Sequence, residues 1–205
     1  MSQRTNKLYN FANHPIVYKV FQMIMSGTSF RKKIIKKNIL SKKVKILDIG
    51  CGPAEILNYL PNSEYYGFDI DRRSIIYARK KYKSKNHHFF CKRFVKKDLR
   101  NLPKVDFVIL FGIIHHLTDV EVNKILNLCK FAMKKNAKLL TEDPIYVSKQ
   151  NLIAKYIINH DRGINVRTKN EYLKLVRKNF KSIRSEIIHQ NFIPYTWFSM
   201  KCKKI

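Results

Sequence analysis

The stretch Val44-Lys-Ile-Leu-Asp48-Ile-Gly50-Cys-Gly52-Pro-Ala54-Glu55 restricts the fold of this chain more than any other. Val44 to Ile49 is apolar and partly β-branched, the pattern of a central strand covered on both faces. Gly50 and Gly52 allow backbone angles closed to other residues and let a ligand approach the main chain. Pro53 suits the first position of a helix, where its missing N–H costs nothing. Strand, glycine turn and helix in that order make a site for a nucleotide-like ligand at the carboxyl edge of a parallel sheet.

The rest of the chain alternates around this unit. Two amphipathic helices, Pro15 to Met25 and Phe30 to Leu40, precede it. Tyr65 to Asp69 reads as a second strand ending in an acid, and Arg72 to Tyr82 as a basic helix. A third strand falls within His87 to Phe94, a loop over Asp98 to Pro103, and a fourth strand over Val105 to Phe111. Thr118 and Glu121 form a capping box for the next helix, and Thr168 and Glu171 form another. Between them lie a fifth strand, Ala137 to Thr141, and a helix, Ser148 to Asn159. Phe180 to His189 and Phe192 to Cys202 read as a closing pair of strands. Such alternation predicts an α/β, three-layer sandwich with a mostly parallel sheet and helices on both faces.

The 205 residues suffice for one domain with a full core. No apolar run approaches the ~20 residues of a membrane span. The polar N-terminus has no apolar core behind it, so no signal peptide is expected. Cys51, Cys91, Cys129 and Cys202 are scattered, which fits a reducing, cytoplasmic setting rather than a disulfide framework or a zinc site. The net charge of +28 raises a nucleic-acid partner as an alternative. Lysine outnumbers arginine 31 to 11, however, and isoleucine and asparagine are abundant. An AT-rich genome produces that joint bias, whereas specific nucleic-acid readers favour arginine for its planar fork. A nucleic-acid partner is therefore not favoured.

Five stretches in order resemble the class I S-adenosylmethionine-dependent methyltransferases: Asp48-Ile-Gly-Cys-Gly52, Tyr66-Gly-Phe-Asp69, Lys97-Asp98-Leu-Arg-Asn-Leu-Pro103, Val105 to Gly112, and Ile114-His-His-Leu117. They span about residues 44–143, and the tail resembles an uncharacterised bacterial branch. The resemblance implies a Rossmann-like sheet of seven strands ordered 3-2-1-4-5-7-6 with the last strand antiparallel. It also implies division into an N-terminal helical addition (1–41), a cofactor core (42–143), a substrate-side insertion (144–167) and a closing helix and strand pair (168–205).

S-adenosylmethionine is the implied cofactor. The set expected to hold it is Asp48, Gly50, Cys51, Gly52, Asp69, Ile70, Asp98, Leu99, Phe111 and Gly112. Asp69 would accept the ribose hydroxyls, and Asp98 the adenine amino proton with Leu99 beside the ring. A dinucleotide site fits less well, because Glu55 stands where G-x-G-x-x-G needs glycine and its carboxylate repels a pyrophosphate at a helix start. Ala54 departs from the family where a third glycine is usual, and Lys134-Lys-Asn-Ala137 replaces its Pro-Gly-Gly.

Methyl transfer from a sulfonium is an in-line displacement that mainly requires orientation. A hydroxyl acceptor also needs a base. His115 is the first candidate, with His116 reading more as a packed, hydrogen-bonded histidine at a helix start. Asp143, with Glu142 beside it, ends the fifth strand at the same edge; one of these acids would position substrate or hold a histidine. The spacing of Glu142, Asp143 and His115 is not diagnostic of a metal. The resemblance implies that His14, Tyr18, Asp161, Arg162 and Tyr195 lie in the segments that usually form the family's substrate lid. The expected acceptor is an O or N atom of a small molecule, such as a metabolite or a cell-surface sugar precursor. An RNA acceptor is the alternative. Against it, the fourth strand lacks the Asn/Asp-Pro-Pro-aromatic step used on exocyclic base amines, and there is no Pro-Cys nucleophile.

Overall fold

The computed structural model describes residues 28–39, 43–60, 62–160, 163–190 and 194–204. The expected helix Pro15 to Met25 and the substrate candidates His14, Tyr18, Asp161 and Arg162 lie outside the described residues. In chain order the elements are α1 (Thr28–Asn38), β1 (Lys45–Ile49), β2 (Glu64–Asp69), α2 (Arg72–Lys81), β3 (His87–Cys91), β4 (Val105–Phe111) and α3 (Asp119–Ala132). Then follow β5 (Met133–Tyr146), α4 (Leu152–Asn159), β6 (Arg167–Thr168), α5 (Lys169–Arg177), β7 (Ser182–Gln190) and β8 (Tyr195–Lys203). Short 3-10 turns occupy Glu55–Tyr59, Lys96–Arg100 and Ile114–His116.

The sheet runs β3-β2-β1-β4-β5-β8-β7, with β6 paired to β5 off this path. β8 is antiparallel to both neighbours, and the pairings from β3 to β5 are parallel. This is the expected order with one addition, the two-residue β6, which makes the sheet eight-stranded.

Successive side chains of a strand point to opposite faces, and the central strands fill both. Ile46, Ile109 and Leu140 pack with Ile35 of α1 and with Ile75 and Ala78 of α2. Leu47, Val108 and Leu139 pack on the other face with Val122, Leu126 and Cys129 of α3 and with Tyr172 and Val176 of α5. That layering explains why these strands lack polar alternation. Both predicted capping boxes form, each with its glutamate turned back on the threonine N–H. The Asp71 side chain caps α2 by accepting from the Arg73 and Ser74 N–H groups.

Several boundaries differ from the sequence reading. The first crossover is a 3-10 turn only, and it begins at Glu55, so Pro53 lies in the preceding turn rather than at a first helical position. Ala54 caps it with a left-handed backbone, φ 56° and ψ 34°. β5 is longer than Ala137 to Thr141. It starts directly after α3, passes Asn136 at φ 66°, and continues through Pro144 opposite Trp197. Asparagine tolerates the left-handed region, so Asn136 does locally what a glycine in this turn would do. Residues 96–100 form a 3-10 turn instead of a loop, and α4 begins at Leu152, capped by Asn151, rather than at Ser148.

Candidate active site

The carboxyl edge of β1, β4 and β5 brings the cofactor candidates together with buried acids. At the end of β1 the Gly50 and Cys51 N–H groups both donate to Phe68 O, at 2.7 and 3.1 Å. The Gly52 N–H donates to Asp69 Oδ2 at 2.7 Å, and the Asp71 N–H to Asp69 Oδ1 at 2.8 Å. Asp69 thus fixes the glycine turn against the end of β2. A carboxylate offers about four lone-pair sites, so acceptor capacity remains for hydroxyls brought by a ligand.

The two glycines of the turn have different roles. A Cβ on Gly50 would lie 2.0 Å from Ile113 Cδ1, so its missing side chain is filled by Ile113. A Cβ on Gly52 would meet nothing within 4 Å, although φ is +51°. Gly52 is therefore the point where the main chain faces open space. Cys51 is buried beneath, its Sγ 3.6 Å from Gly52 O.

Asp48 is buried and accepts the Tyr65 hydroxyl at 2.5 Å. Burial pushes its carboxyl up to about 7, against the lowering effects of Tyr65 and Arg31. It serves as an internal anchor of the turn. Across the sheet, Glu142 is fully buried and its Oε1 accepts from Arg31 Nε at 3.2 Å. Burial holds Glu142 up to about 7 as well, with Arg31 opposing and Asp143 adding to the rise. Arg31 comes from α1. Its guanidinium lies 5.5 Å from the Phe111 ring centre, and its Nη2 would be 3.4 Å from a Cβ on Gly112. The Gly112 N–H in turn donates to Glu142 O at 2.7 Å. Sequence reasoning missed Arg31. It lies three and four residues before the buried Ile34 and Ile35, a spacing that puts it on the inner face of α1.

His115 and Asp143 form a second buried group on the opposite face of β5. His115 Nδ1 is 2.8 Å from Asp143 Oδ1, which also accepts the His115 N–H at 3.1 Å. Burial raises the Asp143 carboxyl, with His115 opposing the rise. The histidine is closely covered. A Cβ on Gly163 would fall 2.0 Å from His115 Cδ2, and the Asn165 N–H donates to His115 O at 3.0 Å. The two histidine rings lie 4.1 Å apart. Burial runs opposite to the sequence expectation: His115 is the enclosed residue and His116 the half-buried one.

Arg167, also unassigned from sequence, holds this turn in place. Its Nη1 donates to Ile114 O and Asn165 O at 3.1 and 2.8 Å, and its Nη2 to Leu117 O at 2.8 Å. Nε and Nη2 also reach Asp119 Oδ1 at 3.0 and 2.8 Å. The segment just before α5 is thereby bolted to the His115-His116 turn and to the start of α3.

At the other end of the site, Asp98 is buried and its Oδ2 accepts the Val95 N–H at 2.9 Å. Its Oδ1 pairs with Lys92 Nζ at 2.5 Å. Leu99 is half-buried against the core, and Ile70 is exposed beside Asp69. Tyr195 stands apart from these groups, buried against Trp197 and Ile158.

Two observations bear on which ligand suits this edge. Gly52 leaves open space at the main chain, and among the described residues the buried Oε2 of Glu142 and Oδ2 of Asp143 meet no hydrogen-bond donor. Residual acceptors in an acid-rich, partly apolar edge fit a ligand that carries positive charge and donors. They do not fit a phosphate.

The family model described as "Methyltransferase domain" matches residues 47–139, the segment that holds β1 to β5. The chain carries a methyltransferase domain over these residues and has the fold of the class I S-adenosylmethionine-dependent methyltransferases. The methyltransferase fold recurs in an S-adenosylmethionine-dependent methyltransferase from Archaeoglobus fulgidus, at 19% identity and TM-score 0.66, over 91% of this chain and 99% of that one. It recurs in the pyocyanin biosynthetic protein PhzM, at 13% identity and TM-score 0.71, over 98% of this chain but 62% of that one. An N-methyltransferase from Haemonchus contortus, in complex with phosphomonomethylethanolamine and S-adenosylhomocysteine, gives 14% identity and TM-score 0.72, over 96% and 59%. The methyltransferase thus spans less than two thirds of the length of the last two. No curated protein matches it by sequence. Among the described residues no helix is long and apolar enough to cross a membrane.

Proposed function

We propose that the methyltransferase modifies an O or N atom of a small molecule, and that Gly52, Asp69, Asp98 and Arg31 hold the cofactor. The observation that carries the acceptor reading is the His115–Asp143 pair at the carboxyl edge, 2.8 Å apart and buried. The cofactor supplies an electrophilic methyl group on a good leaving group. The chain supplies orientation and a destination for the acceptor's proton. Asp143 fixes the Nδ1 side of His115, so Nε2 is the atom that takes that proton. The N-methyltransferase bound to phosphomonomethylethanolamine and the pyocyanin biosynthetic protein share this fold and support this reading.

Asp69 accepts from the ribose hydroxyls through its remaining lone pairs. Asp98 reads the adenine amine, sharing Oδ1 with Lys92. The Nη groups of Arg31 face Gly112 and bind the carboxylate of the cofactor's amino acid end, a charge-assisted contact. Ile70 and Leu99 flank the ring, and Phe111 and Gly112 form the floor.

The test is transfer of labelled methyl groups to separate pools of small amines, hydroxylated metabolites and RNA. Incorporation into the small-molecule pools that falls in His115→Ala supports the proposal. Incorporation confined to RNA, or full turnover by His115→Ala, contradicts it.

A further inference from the structure

One face of the sheet carries cations that the site does not use. On β5, β8 and β7, Lys138 lies directly opposite Lys203, and Arg184 directly opposite Lys201. Like charges placed opposite each other across strands are destabilising. Elsewhere in the same sheet Lys45 faces Glu64 across β1 and β2 and pairs with it at 2.9 Å. Lys134 likewise pairs with Asp106. Among the described residues, none of Lys138, Arg184, Lys201 and Lys203 forms an ion pair. The nearest acids in register, the exposed Glu186 and the buried Glu142 that Arg31 already pairs, both lie opposite Ser199.

α1 extends this field. Lys32, Lys33, Lys36 and Lys37 line a shallow groove of about 510 Å³ on its outer side. α1 packs on the face that bears the sheet cations, because Ile35 and Leu140, the residue opposite Lys201, share one core cluster. The Lys201 ammonium is lowered first by partial burial, then by Lys138, Arg184 and Lys37. The result is one continuous band of eight cations. Compositional drift toward lysine accounts for solvated single lysines. It does not account for two adjacent like-charge cross-strand pairs in a sheet that sets Lys45 and Lys134 against acids.

We propose that this band binds the phosphodiester backbone of a nucleic acid, independently of sequence. None of the exposed large apolar residues lies on α1, β5, β7 or β8. Among the described residues the band therefore offers no exposed large apolar side chain to insert into a lipid surface or to serve as a platform on which bases could stack. Contacts to phosphate alone bind without reading sequence. Lys201 and Lys203, two residues apart on one strand, stand roughly 7 Å apart along it, close to the repeat of phosphates on an extended strand. The band faces the amino half of β5, so the nucleic acid acts as a tether rather than as the methyl acceptor.

The test is fluorescence anisotropy with a labelled mixed-sequence RNA oligonucleotide. With about five phosphate contacts, binding should weaken roughly 100-fold between about 50 and 200 mM salt. The charge-reversal variant R184E/K201E/K203E should bind at least about 10-fold more weakly than wild type, because the phosphate contacts dominate affinity. A control, K80E/K83E/K85E, makes the same net change on exposed residues near the far edge of the sheet and should lose less than about 3-fold. Equal losses in the two variants would reduce the effect to total charge and overturn the proposal. So would no RNA binding by wild type, or binding to phosphatidylserine vesicles in preference to RNA. Should the triple reversal fail to fold, K201Q with K203Q against K83Q with K85Q carries the same comparison. Binding of S-adenosylmethionine should be unchanged in every variant.

Discussion

Replacing Arg167 by leucine removes the bolt that joins the segment before α5 to the His115 turn while keeping an apolar stem against Tyr172. The bonds to Ile114 O and Leu117 O are buried, so both carbonyls lose a partner that water cannot replace. Each orphaned buried acceptor costs about 1–3 kcal/mol, which gives a loss of about 4 kcal/mol for the two. The arm to Asp119 adds little, because that carboxylate is 68% exposed, and exposed ion pairs contribute about 0–1 kcal/mol. For a chain of this length about 4 kcal/mol lowers Tm by roughly 10 °C. Urea melts and thermal scans of Arg167→Leu and Asp119→Asn measure both parts, and the Asp119 variant should fall by no more than about 2 °C. The reasoning is refuted if Arg167→Leu melts within about 2 °C of wild type, or if Asp119→Asn costs as much as Arg167→Leu. A folded Arg167→Leu protein should also turn over more slowly, since His115 loses the support of its turn.

Three further outcomes follow from the same edge. Gly50→Ala should destabilise by several kcal/mol, roughly 2–4, because its methyl meets Ile113; Gly52→Ala should cost only about 1 kcal/mol of left-handed strain yet weaken S-adenosylmethionine binding, and equal thermal losses would contradict this division. Glu142 has its carboxyl raised from 4.5 to about 7, so the folded state holds a proton that the unfolded chain releases, and stability falls as pH rises through that window, by about 3 kcal/mol, before levelling above it. Urea midpoints across the window should show this fall in wild type and a flatter profile in Glu142→Gln; parallel profiles would remove the assignment. Arg31→Ala should weaken S-adenosylmethionine binding by about 1.5–3 kcal/mol, the worth of a hydrogen bond to a charged group, while methylthioadenosine, which lacks the carboxylate, binds unchanged; an equal loss for both ligands would place Arg31 elsewhere in the account.

Much of the fold was legible because local rules agree with the sheet. β1 and β4 are uninterrupted apolar runs apart from Lys45, Asp48 and Asp106, and both threonine–glutamate boxes start the helices they predict. The glycine turn and the acid at the end of β2 were readable because a turn of this kind needs special backbone angles and a fixed partner. The boundaries of β5 were not readable. Asn136 replaces a glycine in the left-handed region, and Pro144 sits inside the strand, so the usual punctuation is missing. The order of burial of His115 and His116 depends on the rotation of a three-residue 3-10 turn, which periodicity does not fix. Arg31 was hidden among the lysines of α1, though its spacing from Ile34 and Ile35 marks its face. Arg167 left no trace in the sequence, because its partners are main-chain carbonyls, which every residue has.

The most direct test of the account is calorimetric titration of S-adenosylmethionine into the purified wild-type and Asp69→Ala proteins. Saturable binding by wild type and loss of at least about 10-fold in affinity in Asp69→Ala, at least about 1.4 kcal/mol, is the predicted result. No binding by wild type, or the same affinity in both proteins, would contradict the assignment of the β1–β2 edge as the cofactor site.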